Sequence, residues 1–325
     1  MFRWKKLGRV FNPKDVNDGY KREWMNAYSQ CTSAIVFDNF VRVFFSCRPE
    51  KDRNNQFVSH IAFVDLNRSN LKEIINIAKQ PLMPLGELGT FDEFAIYPIS
   101  VIRQKKVLLL YYAGWMRCQS IPYTVSVGLA TSEDDGLTFK RYSKGPILTN
   151  SPQEPFEISG PKVRRFNDVW FMYYLAGEKW IMKEEKAESI YKIRMATSKD
   201  GIEWNKLNKN IIDSVLPEDE CQAGPDVFFW DNKYHMFFSY RYAHNFKNRE
   251  RGYKIGYAHS EDAFNWVRDD NLAGIELSNT GWDSQMHHYP HILNLDETFY
   301  MLFNGNNFGE EGFGIAILEE YNNEY

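Results

Sequence analysis

The sequence predicts an all-β protein that forms a single five-bladed β-propeller over residues 1–325. First, a pattern of apolar strand, polar turn and aromatic strand recurs at intervals of 66, 63, 64 and 65 residues. Second, aromatic residues make up 16% of the chain and cluster in the second strand of each repeat. Repeats that each contain several strands stack radially around an axis, as the blades of a propeller do. The repeats begin at Thr32, Pro98, Pro161, Pro225 and Pro290.

The strands of a blade follow in a constant order. In four repeats a third strand follows the aromatic strand and alternates between polar and apolar residues, which is typical of a sheet with two different faces. In three of these repeats a polar turn and a further aromatic residue then open a fourth strand. Residues 69–79 of the first repeat fit either a helix or a fourth strand. The third strands lie at residues 58–64, 125–131, 192–197 and 254–259.

The fifth repeat lacks a fourth strand, because few residues follow its third strand at residues 314–318. Residues 4–7, Trp-Lys-Lys-Leu, are similar to the fourth strand of the third repeat at residues 204–207, Trp-Asn-Lys-Leu. We therefore expect the N-terminal strand to pair with the last blade and close the ring, which removes an exposed sheet edge. Two charged segments, 178–191 and 242–252, form either flaps at the rim of the funnel or solvated loops.

Composition argues against several classes of partner. A net charge of −4 without a basic stripe disfavours nucleic acid. No apolar run approaches the length of a membrane span, and the N-terminus lacks the apolar stretch of a secretory signal, so we expect a cytoplasmic protein. The oligomeric state stays open. The cysteines lack metal-site spacing and fit a reducing compartment; they are Cys31, Cys47, Cys118 and Cys221.

The blade starts resemble those of a known group of enzymes. Two inner strands begin with Ser-Gly-Pro-Lys at residues 159–162 and Ala-Gly-Pro-Asp at residues 223–226, and each precedes an aromatic strand. This pattern resembles the five-bladed propeller glycosidases of glycoside hydrolase families 43, 32 and 130. Trp-Met-Asn at residues 24–26 is similar to the opening motif of the invertases in family 32. The resemblance implies a carbohydrate-active, glycosidase-like enzyme that cleaves or transfers a glycosidic bond of a carbohydrate or an activated sugar in the axial funnel.

The catalytic positions that this resemblance implies are changed. Family 43 implies an Asp at the first blade start, where residues 26–31 contain no carboxylate. It also implies an acidic Glu two residues before the third-blade proline, where the chain has Ser159, and the Asp of the invertase motif is replaced by Ala27. Simple transfer of a hydrolase mechanism therefore fails. A phosphate-dependent glycoside phosphorylase, a sugar-nucleotide-dependent glycosyltransferase of glycan assembly and a non-catalytic glycan-binding propeller stay open as alternatives.

Carboxylates near the blade starts are the candidate catalytic groups. Glycosyl transfer needs one group that protonates the leaving oxygen and another that delivers or activates the nucleophile. Glu157 is our candidate acid, because it lies closest to the lost acid position of the third blade. Asp92 or Glu93, on the neighbouring second blade, is its candidate partner. Asp226 directly follows its proline and is either catalytic or a structural residue between blades.

Polar residues near the blade starts are the candidate substrate-binding groups. Arg48 and Arg241 end equivalent second strands, and arginine binds phosphate bidentately. Together with Lys162 and the fifth-blade histidines they suit an anion pocket, although surface charges and packing histidines would give the same pattern. The remaining candidates are Gln30, Asp283, His287, His288 and His291.

We expect no cofactor and no metal ligand set. The resemblance to family 43 implies a central histidine beside a calcium-and-water cluster, so a structural calcium ion in the funnel is the alternative. Imidazole is, however, a poor ligand for calcium.

Overall fold

The computed structural model describes residues 1–20 and 22–321, and within them it contains five four-stranded antiparallel sheets. Each sheet is one blade, so the predicted five-bladed propeller is confirmed. The strands are β1 (Phe2–Phe11); β2 (Ala27–Val36), β3 (Phe40–Arg48), β4 (His60–Asn67) and β5 (Asn70–Ile77) in blade one; β6 (Ala95–Gln104), β7 (Val107–Arg117), β8 (Tyr123–Ser132) and β9 (Lys140–Arg141) in blade two; β10 (Ile158–Phe166), β11 (Val169–Lys183), β12 (Lys186–Ser198) and β13 (Asn205–Lys206) in blade three; β14 (Glu220–Trp230), β15 (Lys233–Tyr242), β16 (Lys254–Ser260) and β17 (Val267–Arg268) in blade four; and β18 (His288–Leu295), β19 (Thr298–Asn304) and β20 (Phe313–Tyr321) in blade five.

Short segments complete the fold. Single helical turns occur at Pro13–Asp15, Asp270–Leu272 and Asn306–Gly309. The ambiguous segment at residues 69–79 is the fourth strand of blade one, β5. The charged segment at residues 178–191 extends the β11–β12 hairpin beyond the other blades, with Lys183 paired to Lys186 at its tip. No helix in the described part of the chain is both long and apolar enough to cross a bilayer.

The N-terminal strand closes the ring as predicted. β1 pairs antiparallel with β20, with Trp4 opposite Leu318 and Lys5 opposite Ile317. Phe2 is buried, and its ring packs against Phe237 and Tyr257 of blade four at centroid distances of 5.0 and 5.2 Å. The closing strand therefore joins the last blade by backbone pairing and the fourth blade by apolar contact.

A β-bulge occurs at the same level of every inner strand. In each one, two residues oppose a single residue of the second strand, and that opposing residue is a fully buried aromatic side chain. The bulge pairs include all the residues at which the sequence repeats begin. A proline is tolerated at a bulge because the ladder hydrogen bond is already interrupted there. The bulged pairs are Cys31–Thr32, Pro98–Ile99, Gly160–Pro161, Gly224–Pro225 and Tyr289–Pro290.

The residue after each bulge ties neighbouring blades together. At four of these five positions its side chain accepts a hydrogen bond from a backbone N–H of the next blade around the ring. At distances of 2.8–3.1 Å, Ser33 accepts from the N–H of Val101, Ser100 from that of Val163, Asp226 from that of Ile292 and His291 from that of Ala34. The fifth position is Lys162, whose ammonium group can only donate. Four blade junctions are thus closed near the axis, and the fifth position carries a cation.

Truncation of one closing side chain tests this picture. We expect Phe2→Ala to destabilise the protein by about 3–5 kcal/mol, because it leaves a cavity between blades four and five. Lys5→Ala on the same strand is the control: its side chain is exposed, and its ion pair with Glu319 lies at the surface, so we expect a change of about 0.5 kcal/mol or less. Equal melting temperatures for the two variants in thermal unfolding would contradict the proposed role of β1 in closing the ring.

Candidate functional site

A cavity of about 330 Å³ opens on the propeller axis, and all five blades contribute to its wall. The cavity lies at the end of the axis where the inner strands begin, and the bulges lie beneath it. A smaller cavity of about 70 Å³ adjoins it at the level of the bulges and shares Tyr97, Trp115 and Tyr289 with it. Aromatic side chains form much of the wall; they are Tyr97, Trp115, Tyr123, Tyr191, Phe246, Tyr253, Tyr289 and Phe308.

Glu157 is the most deeply buried carboxyl group in this wall. It directly precedes β10 and is only 4% exposed. Its Oε1 accepts a hydrogen bond from the Ser189 hydroxyl of β12, and its Oε2 has no hydrogen-bond partner in the described structure. Burial raises the pKa of Glu157 above its ordinary value, against the hydrogen bond from Ser189, which lowers it. The group therefore holds a proton more tightly than a solvated glutamate does.

Gly177 leaves the space that the Glu157 carboxyl group occupies. It pairs with Glu157 by a backbone hydrogen bond of 2.9 Å, from its N–H to the Glu157 carbonyl. A Cβ atom at position 177 would lie 2.7 Å from Glu157 Oε2 and 2.7 Å from Phe156 Cβ. The small residue thus positions the acid by leaving room for it.

Glu188 is the other carboxylate that lines the cavity. It lies on β12, in the extended part of the long hairpin, and is half-buried. Sequence reasoning missed it because the charged segment at residues 178–191 was open to interpretation as a solvated loop. The signal in the sequence was the alternative interpretation of this segment as a flap at the rim of the funnel. The contact between Ser189, the next residue, and Glu157 places this part of β12 beside the cavity.

Two arginines face the cavity from blades one and four. Arg48 Nη2 donates to the Tyr97 hydroxyl at 2.8 Å, and the guanidinium carbon lies 4.2 Å from the centre of the Tyr28 ring. Arg241 Nη2 donates to the Tyr191 hydroxyl at 3.0 Å, and its guanidinium group stacks over Phe246. The Nε atoms of both arginines are buried without a hydrogen-bond partner in the described structure.

The structure does not bring Asp92 or Glu93 to this cavity. Asp92 is fully buried and accepts hydrogen bonds from the Tyr112 hydroxyl at 3.0 Å and from Arg141 Nε at 2.8 Å. Arg141 lies on β9, the outermost strand of blade two, so Asp92 points away from the axis. Glu93 accepts a hydrogen bond from the Gly89 backbone within its own loop at 2.8 Å. We therefore do not pair either residue with Glu157.

Asp226 lies in a buried charge cluster between blades. It contacts Arg164, accepts the 2.8 Å hydrogen bond from His291 Nδ1 and lies 3.7 Å from Lys162 Nζ. Burial alone would raise the pKa of Asp226, but the charges of Arg164 and Lys162 outweigh it and hold this pKa well below the usual range. Of the two roles left open by the sequence, this environment fits the structural one.

His291 and Lys162 complete that cluster. Burial, with the charge of Lys162, lowers the pKa of His291 to about 4, so the ring is neutral. Because Nε2 accepts from the Ala34 amide, the ring proton lies on Nδ1 and is donated to Asp226. Burial lowers the pKa of Lys162 to about 8, against the attraction of Asp226. Lys162 also lines the smaller cavity.

The residues near the axis do not fit a calcium ion. Both nitrogens of His291 are engaged, and the Lys162 ammonium group lies 3.2 Å from its Nδ1, where a second cation would be repelled. Within residues 1–20 and 22–321, no group of three or more His, Cys, Asp or Glu side chains is placed to hold a metal ion.

The other predicted binding residues separate into two groups. Gln30 lines the cavity, with its Oε1 unpaired among the described residues. Asp283 instead accepts hydrogen bonds from Lys6 of the closing strand at 2.9 Å and from His287 at 3.1 Å, so Asp283 and His287 serve ring closure. His288 is fully buried and stacks on Tyr253, behind the cavity wall. Burial lowers the pKa of His288 to about 3.

Comparison with known sequences finds two full-length relatives. The chain is 30% identical over 317 residues to the uncharacterized proteins MT1551 and Rv1502 of two Mycobacterium tuberculosis strains, which covers 97% of this chain and 99% of each relative. It is 28% identical over 192 residues to an invertase of Debaryomyces hansenii, covering 58% of this chain and 30% of the invertase. No family model matches the chain.

Solved structures share the fold. A glycoside hydrolase aligns with a TM-score of 0.75 at 16% identity, over 99% of this chain and 94% of its own. A thermostable family-43 glycoside hydrolase gives a TM-score of 0.62 at 14% identity, over 94% of both proteins. A third structure is described as belonging to the GH130 family of mannoside phosphorylases, which contains glycoside hydrolases that target β-1,2 mannosidic linkages in Candida mannan. It aligns with a TM-score of 0.66 at 12% identity, over 100% of this chain and 95% of its own. At these identities, the similarity establishes the propeller architecture.

The raised pKa of Glu157 predicts a pH-dependent stability difference. Below the ordinary pKa of 4.5 the carboxyl group is protonated in both the folded and the unfolded chain and costs no stability. Stability is lost as pH rises above 4.5, because the unfolded chain releases this proton first, and the loss is complete once pH exceeds the folded-state pKa. We expect the melting temperature of the wild type, minus that of Glu157→Gln, to fall as pH rises from about 4 to about 8. The exposed Glu133→Gln is the control. A difference that is constant or rises with pH would refute the assignment.

Proposed function

The chain belongs to the same family as the uncharacterized mycobacterial proteins MT1551 and Rv1502, and we propose that it is a carbohydrate-active enzyme that cleaves or transfers a glycosidic bond in the axial cavity. The observation that carries this proposal is Glu157, a buried residue of the cavity wall whose carboxyl group has a raised pKa and one oxygen without a hydrogen-bond partner in the described structure. The solved glycoside hydrolases with this fold support the choice of substrate class.

In the proposed mechanism Glu157 acts as the general acid. A sugar ring packs against the aromatic wall, whose flat faces suit its C–H groups. Glu157 donates its proton to the leaving glycosidic oxygen as the bond to the anomeric carbon breaks, and a nucleophile attacks that carbon. Ser189 holds the carboxyl group by its hydrogen bond to Oε1.

Glu188 is the proposed second carboxylate. It lies in the same cavity wall and is half-exposed, so water or a hydroxyl group of the reactant can reach it. In hydrolysis or transfer it would take the proton of an incoming water or hydroxyl group. We keep the cytoplasm as the expected location of the enzyme, a prediction that rests on the sequence.

Loss of the acid should depend on the leaving group. We expect Glu157→Gln to reduce turnover of alkyl glycosides about 10²- to 10⁴-fold, because their leaving oxygen needs a proton. Dinitrophenyl glycosides leave as stable anions and should lose much less. Initial rates over a panel of sugars measure the loss on alkyl glycosides and the loss on dinitrophenyl glycosides, with Glu133→Gln as the control. Equal losses on both leaving groups would rule out acid catalysis by Glu157, and a wild type that binds glycans without turning any of them over would favour a binding propeller.

Gly177 provides a second test that leaves Glu157 itself in place. We expect Gly177→Ala to displace the carboxyl group and to reduce alkyl glycoside turnover by about a hundredfold. Gly145→Ala is the matched control, since a Cβ atom there meets nothing within 4 Å. Melting temperatures show whether both variants fold. Equal activity of the two folded variants would contradict the positioning role of Gly177.

A further inference from the structure

We propose that Arg48 and Arg241 form an anion-binding site, so that one reactant in this cavity carries a phosphate or carboxylate group. The inference rests on the proposed function for its setting, and it adds the chemical class of the reactant. The anion is either part of the carbohydrate or a free phosphate ion that acts as the nucleophile.

The first support is a contrast with the other arginines. Among the described residues, every other arginine that is buried or half-buried has a carboxylate within 4.0 Å, whereas Arg48 and Arg241 have none. The paired arginines are Arg9, Arg22, Arg42, Arg68, Arg117, Arg141, Arg164, Arg194, Arg251 and Arg268. Both unpaired guanidinium groups line the same cavity.

The second support is the cost of leaving these charges unpaired. Arg241 is only 5% exposed, and a guanidinium group stays protonated in a protein. A desolvated charge is stable only with a counter-charge or a full set of hydrogen bonds. Here tyrosine hydroxyls and backbone carbonyls supply some acceptors, yet both Nε atoms remain without one. An anionic ligand in the cavity would supply the missing counter-charge.

The surroundings hold the two arginines in place for such a ligand. Arg48 lies between the rings of Tyr28 and Phe57, and Arg241 lies against Phe246 and Tyr253. Stacking fixes the plane of each guanidinium group, so less freedom is lost when an anion binds. Lys247 also lines the cavity and adds a positive charge at its rim.

The bound anion has a defined role whether it is free phosphate or part of the carbohydrate. A free phosphate oxygen would attack the anomeric carbon while the bond to the leaving oxygen breaks and Glu157 transfers its proton to that oxygen. The products are then a sugar 1-phosphate and an alcohol, and no oxidant or base is needed. An anionic group on the carbohydrate would instead anchor the substrate beside Glu157.

Calorimetric titration tests the site without requiring turnover. The probes are inorganic phosphate, glucose 1-phosphate and methyl glucuronide, with methyl glucoside as the neutral control. We expect at least one anionic probe to bind the wild type, and its affinity to fall about ten- to a hundredfold in both Arg48→Gln and Arg241→Gln. Arg68→Gln, at a surface ion pair with Asp296, should bind like the wild type.

Further variants keep the result interpretable. Arg48→Lys and Arg241→Lys retain the charge but lose the planar fork, so intermediate affinity is expected even if a glutamine variant fails to fold. Wild-type binding should also weaken as sodium chloride is added. Binding of no anionic probe to the wild type, or equal binding by all folded arginine variants, would overturn the proposal.

The same titrations identify the source of the anion. Phosphate binding together with phosphate-dependent turnover of neutral glycosides indicates free phosphate as the nucleophile. Tighter binding of an anionic sugar than of phosphate, with phosphate-independent turnover, indicates a charged carbohydrate. Glu157→Gln should retain anion binding in both cases, so failure of the anion site and failure of the proposed acid are told apart.

Discussion

A ring of hydrogen bonds beside five β-bulges determines how this propeller is arranged around its axis. Directly after the bulge, four inner strands use a side chain to accept an N–H from the next blade. Each bulge also changes which residues face the axis, because it inserts one extra residue into the inner strand. The level of the bulges therefore sets both the junctions between blades and the floor of the cavity.

Charged groups on the two sides of this ring have different environments. Directly after the bulges, Asp226 is surrounded by Arg164, Lys162 and His291, and each charge has a partner. On the side of the strand starts, Glu157 has a free oxygen and Arg48 has no carboxylate near it. Paired charges join the blades, whereas the unpaired ones belong to residues that line the cavity. Natural proteins accept such local costs mainly where function requires them.

The sequence predicts the fold well because each blade repeats its own local pattern. The aromatic strands and the blade starts follow from residues close together in the chain, and the N-terminal strand that completes the last blade follows from its similarity to the fourth strand of the third repeat. Glu157, Gln30 and the two arginines were also expected near the funnel, and they line the cavity.

The direction of each side chain was harder to predict. Asp92 lies three residues before β6 but turns toward Arg141 on the outer strand, which no local pattern indicates. Glu188 reaches the cavity only because residues 178–191 extend a hairpin over it. The role of Asp226 depends on the bulge beside it, since register decides which face of a strand a residue occupies. These features depend on tertiary contacts and strand register, which a local sequence pattern does not specify.

The central claim is that a protonated Glu157 and a bound anion share one cavity. An infrared titration of the Glu157 carboxyl group, identified by its loss in Glu157→Gln, measures its pKa with and without the anionic probe that binds most tightly. We predict a pKa above the ordinary glutamate value that rises further when the anion binds, because a nearby negative charge disfavours the carboxylate. A pKa at or below the ordinary value, unchanged by the anion, would contradict the claim.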